Sequence, residues 1–230
     1  MSFEYPNTVE NTPQPKIEVE AGFEKFVPNE FSTDPFCYFE THGRNIKSGE
    51  VEHDEEGLVK EDPTATKDLP VWKDLSGKEL RVVGKKVNTV KSQVGKSGDP
   101  FYEYSIMEIA KEFDLPAPTP IAKAEHDDQH LIVMENVEGI RWTDEGMKPI
   151  HEANLTEEEK KVMLTQAQEL MDNLQERFDA IGLVRKWKLK DMIFDVDIPN
   201  RKVLGITPTD WERTKIDSDI LTRARAERGL

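Results

Sequence analysis

The chain has 230 residues, 36% of them hydrophobic and 33% charged, and its 46 Asp and Glu against 31 Lys and Arg leave a formal net charge of −15. That length holds one domain of ordinary size with an appendage, not two full domains. So acidic a chain repels nucleic-acid backbones, which excludes a general DNA- or RNA-binding role and favours basic partners.

Residues 1–70 carry 16 Asp and Glu against 6 Lys and Arg, so most of the negative charge lies there. The opening MSFEYPNTVENTPQPK lacks the basic start and apolar core of a secretory signal. The segment is rich in Pro, Glu, Asn and Thr and shows no sustained period. Such a composition buries too little apolar surface to offset backbone ordering, about 1–2 kcal/mol per residue. Rings nevertheless recur at Phe23, Phe26, Phe31, Phe36, Tyr38 and Phe39. Spaced aromatic anchors on an acidic background predict an extended arm that docks on a protein partner or a neighbouring subunit. Deleting 1–70 is then expected to leave the remaining body folded. The single cysteine, Cys37, precludes an intramolecular disulfide or a thiolate metal cluster and fits a reducing, intracellular setting.

From Val71 the texture changes. Residues 79–83 and 87–91 predict two short strands around a turn at Gly84-Lys85-Lys86. An amphipathic helix follows over about 100–113; it carries Glu103 and ends at Pro116 and Pro118. Next come an extended segment, a polar turn at Asp127-Asp128-Gln129 and the apolar strand LIVM at 131–134, which stops in Glu135-Asn136-Val137-Glu138-Gly139. That strand is the longest clearly apolar one and falls far short of the roughly 20 residues of a membrane helix. The chain is expected to be soluble and intracellular, or housed within a viral particle.

Thr156 and Glu159 form a capping box ahead of Val162, Met163, Ala167, Leu170, Met171, Leu174, Phe178 and Ile181, an apolar stripe that Gly182 ends. Residues 192–194 and 203–206 predict a hairpin across Asp197-Ile198-Pro199-Asn200. Then come Asp210-Trp211-Glu212 and the tail DSDILTRARAERGL, which predicts a terminal helix. The five histidines lack zinc-protease spacing, and no Gly-x-Ser-x-Gly elbow occurs. The run Arg185-Lys186-Trp187-Lys188-Leu189-Lys190 is the one local basic patch holding an aromatic, open to a phosphate or to an acidic neighbour such as another copy's arm.

The order from Phe101 to Gly139, with Asp210-Trp211-Glu212 downstream, resembles a protein-kinase-like fold, closest to the aminoglycoside and choline phosphotransferase branch. The resemblance implies an α+β fold: a small antiparallel sheet plus one helix over 71–139, a mainly helical lobe over 140–230, and the arm 1–70 outside. It implies that Lys91 is the phosphate lysine and Glu103 its helix partner. Glu135 and Val137, with Asn136, would form the backbone hinge at adenine, and Asp210 would hold the metal. The catalytic loop departs from the family. Where the family has His-x-Asp and an Asn five residues beyond the Asp, Arg185, Trp187 and Met192 stand, and no glycine-rich loop precedes Lys91. Trp accepts no proton and Met is a poor ligand for magnesium. The expectation is a non-catalytic, pseudokinase-like scaffold in a larger assembly, with no cofactor. The alternative is an active phosphotransferase using ATP and magnesium, with Asp191 or Asp195 in the catalytic loop's place.

Overall fold

The computed structural model describes residues 14–42, 45–47, 69–87, 99–142, 147–211 and 213–230. Strands β1 (Lys16–Val19), β2 (Asn45–Lys47), β4 (Glu79–Val87), β5 (Pro120–His126) and β6 (Gln129–Glu135) form a sheet in the order β1-β5-β6-β4-β2, and β3 (Val71–Lys73) pairs with the start of β4. All pairs in it are antiparallel except β2 with β4. Below it lie helix α3 (Tyr102–Glu112), the long helix α5 (Glu157–Ala180), a three-stranded sheet of β7 (Ile140–Arg141), β9 (Met192–Asp197) and β10 (Lys202–Pro208), and a two-stranded ladder of β8 (Leu183–Val184) with β11 (Lys215–Ile216). The fold is α+β, as expected. Among the described residues no helix is long and apolar enough to cross a membrane.

The unbroken apolar run of β6 reflects burial on both faces of the sheet. Leu131 and Val133 face one core, Ile132 the other, and all three are fully buried. The second face meets Ile106, Met107 and Ala110 of α3 and the stripe of α5. The first face is covered by the N-terminal residues. There α1 (Asn29–Thr33) and α2 (Pro35–His42) set Phe31, Phe36, Tyr38 and Phe39 around Trp72, with Phe26 beside them.

This overturns the expectation of an extended arm for residues 14–42. Strand β1 adds to the sheet edge against β5, and Phe26, Phe31, Phe36, Tyr38 and Phe39 are buried in the chain's own core, with Phe23 partly buried against it. Phe31 lies 5.0 Å from Trp72 between ring centroids, and Trp72 Nε1 donates to Tyr38 Oη at 3.1 Å. The rings therefore hold the sheet rather than a partner. Composition misled because it averages over 70 residues, whereas the sheet gives the few rings an apolar face they could not make alone. The remainder of 1–70 lies outside the described residues.

A second expectation also fails. Gly84-Lys85-Lys86 is not a turn, because β4 runs straight through it for nine residues. Gly84 is there because the Phe39 ring lies on the strand: a Cβ at Gly84 would come within 2.6 Å of that ring. The glycine marks a close approach inside a strand.

Other elements follow their signals. Thr156 caps α5, its Oγ1 accepting from Glu159 N–H while Glu159 Oε2 accepts from Thr156 N–H at 2.8 Å. Gly182 ends the exit from α5 at φ +80°, where an added Cβ would lie 2.6 Å from Asp217 O. The hairpin of β9 and β10 forms, and the tail is helix α6 (Ser218–Arg228), capped by Asp217 and tied to Glu112 by Arg225 at 2.8 Å.

Candidate functional site

Pleating decides which side chain of β4 enters the site. Leu80, Val82 and Gly84 face the aromatic layer, so Lys85 points the opposite way, toward α3. On α3, Glu103 shares a face with Ile106, Met107 and Ala110, three, four and seven residues on, so it enters the core with them. The two meet there: Lys85 Nζ donates to Glu103 Oε1 at 2.8 Å and to Oε2 at 2.7 Å, with both side chains only 10% exposed. Glu103 Oε1 also accepts the backbone N–H of Trp211 at 3.1 Å. One carboxylate thus ties the upper sheet, α3 and the Asp210-Trp211 segment together.

Glu103 is therefore a partner in a lysine–glutamate pair, and the lysine is Lys85. Lys91 lies outside the described residues. The sequence LRVVGKKV over 80–87 has no apolar-polar alternation past Gly84 to mark a continuing strand, so Lys85 carries no local signal.

The second cluster centres on Arg185. Directly after β8, its side chain is 6% exposed. Its Nη2 donates to Asp191 Oδ2 at 3.1 Å and to Asp210 Oδ2 at 2.8 Å, and its Nη1 donates to the Asp210 carbonyl. The guanidinium lies 4.4 Å above the Trp187 ring, a cation–π contact. Trp187 is 4% exposed and stands edge-on to Trp211 at 5.1 Å, with Phe178 against both. The residue in place of the expected base is thus an aromatic post under Arg185. Met192 is fully buried at the start of β9. Asp195 is exposed in mid-strand opposite Gly205, apart from the Arg185 cluster. Glu212 lies outside the described residues.

Burial works against the charge on Asp210, but hydrogen bonding and attraction from Arg185, with further attraction from Lys85 and Arg213, outweigh it and hold the carboxyl below the usual range. Lys85 is thus among the cations whose field favours the Asp210 carboxylate. A carboxyl with a lowered folded-state pKa stabilises the fold above its unfolded value, about 3.9, and that contribution disappears as pH falls through the folded value. Asp210→Asn is expected to lose stability at neutral pH and to flatten the stability profile below about pH 4. Urea unfolding of both proteins across that range tests this; parallel profiles would show that Asp210 does not titrate as described.

At the hinge segment, Glu135 N–H donates to Thr119 O and Asn136 N–H to Arg81 O, each at 2.9 Å. Both donors are used within the protein, and Val137 follows, partly buried.

No family model matches the chain, and no curated protein matches it. Among solved structures it is similar to the crystal structure of the BubR1 kinase domain, with a TM-score of 0.43 and 15% identity over 85% of this chain and 62% of that one. The chain thus spans less than two thirds of that domain. A likeness at that distance assigns this chain neither a fold family nor an activity, and none of the comparisons names the aminoglycoside or choline phosphotransferase branch.

Proposed function

We propose that this chain is a kinase-like body that has lost phosphoryl transfer and works through contacts with other proteins, as a subunit of a larger assembly such as a viral particle or multiprotein complex. The observation that carries the first part is the Arg185 guanidinium between Asp191 and Asp210. Phosphoryl transfer needs a metal on carboxylate oxygens and a group to orient the attacking hydroxyl. Here the protein's own cation takes an oxygen of each carboxylate. A magnesium ion on the remaining oxygens would sit beside a buried, doubly paired guanidinium, and displacing that arginine would strand a desolvated charge. Trp187 offers no proton acceptor in the loop. Lys85, Glu103 and Asp210 keep a nucleotide-binding arrangement in outline, but their ties to Trp211 and Arg185 support a bracing role. With chemistry gone, binding is the means of action left to the body.

The chain incubated with labelled ATP, magnesium and candidate acceptors is expected to show background turnover only, since a well-placed general base is commonly worth about 10²–10⁴-fold. Robust transfer that vanishes in Asp210→Ala would establish an active phosphotransferase instead.

A further inference from the structure

Beside the Arg185 cluster, β8, the segment after it and β11 line a half-open cavity of about 420 Å³. Besides Arg185 itself, five cations line it: Lys186, Lys188, Lys190, Arg213 and Lys215. The two carboxylates in its wall, Asp191 and Asp210, are already matched to Arg185. None of the five cations forms an ion pair among the described residues, on a chain whose net charge is −15.

The frame that holds them is rigid. Along the extended segment after β8, Arg185 and Trp187 turn inward and are buried, so Lys186 and Lys188 turn outward. Trp187 is wedged between Phe178 and Trp211. Across from it, Lys215 pairs with Val184 in the β8–β11 ladder, which fixes the opposite wall. Like charges gathered round one cavity repel one another, and salt screens that repulsion only in part over distances up to a Debye length, about 8 Å. A bound anion would relieve it.

The shape selects the anion. A concave site in the size range of small-ligand pockets, roughly 300–1,000 Å³, walled largely by ammonium and guanidinium groups, suits a ligand whose charges are all within reach of the cavity. A long polyanion would have to cross the acidic remainder of the surface and be repelled there. Lysines bind phosphate as point charges from several directions. We propose that this cavity binds a compact small molecule bearing several clustered phosphate groups. This goes beyond the function proposed above and does not depend on it.

Calorimetric titration of the full chain with tripolyphosphate and with inositol hexakisphosphate tests the proposal. Saturable binding is expected, weakening steeply as salt rises. Lys188→Glu and Arg213→Glu should each weaken it by about tenfold or more, as loss of a charge-assisted hydrogen bond implies. Lys161→Glu, an exposed helix position with the same change in charge, should leave it within about twofold. The substituted side chains are exposed, and an unchanged melting temperature confirms that the fold persists. Hydrogen exchange should slow at 186–190 and 213–215 when either phosphate binds. The proposal is overturned if neither phosphate binds, if Lys161→Glu weakens binding as much as Lys188→Glu, if sulfate at equal ionic strength binds as tightly, or if a polyglutamate peptide binds more tightly than tripolyphosphate.

Discussion

Replacement of Glu103 by alanine is expected to destabilise the chain by about 3–5 kcal/mol, the usual cost of stranding one partner of a buried ion pair. Two groups lose their acceptor at once. Lys85 keeps a charge beneath the sheet at 10% exposure, and Trp211 N–H is left without its acceptor. Replacing Lys85 and Glu103 together by methionine removes the charge problem and leaves mainly the orphaned amide, about 1–3 kcal/mol. Chemical unfolding of the single and double variants decides the matter. If Glu103→Ala costs no more than the double replacement, the pair does not brace the structure. Against a typical total stability of about 5–15 kcal/mol, the single change consumes a large share.

Deletion of residues 1–42 is expected to abolish cooperative folding of the rest. It uncovers Leu80, Val82, Ile121, Leu131 and Val133 on one face of the sheet, and it strips β5 of its edge partner. A milder version is Phe31→Ala, which empties a site among Trp72, Tyr38 and Phe39 and should cost about 3–5 kcal/mol. Circular dichroism and thermal melting test both. A truncated chain that melts cooperatively at the wild-type temperature would restore the detachable arm and reopen the question of what its rings bind.

Local signals were legible wherever short-range physics sufficed. The capping box at Thr156 and Glu159, the helix stripe through Phe178, the stop at Gly182 and the hairpin over Asp197 to Asn200 all depend on neighbours within a few residues, and the structure has each of them. Helix α3 with Glu103 and the strand LIVM were equally legible from their periods. Lys85 was not, because a glycine in a strand and a glycine in a turn look alike until the ring that requires it is known. That ring, Phe39, lies 45 positions earlier in the sequence.

The N-terminal rings illustrate the same limit. Residues 1–70 are too polar to fold alone, which the sequence determines by itself, but whether Phe31 and Phe39 anchor on a partner or on the chain's own sheet depends on which apolar face lies within reach. Loop residues 185–191 divide likewise. The sequence alone establishes that Trp187 cannot act as a base, since that is a property of the side chain. Only the tertiary structure decided that Arg185 joins Asp191 to Asp210, six and twenty-five positions away. It also decided that the neighbouring lysines line one cavity, because periodicity records which face a residue takes and long-range folding alone brings two faces together.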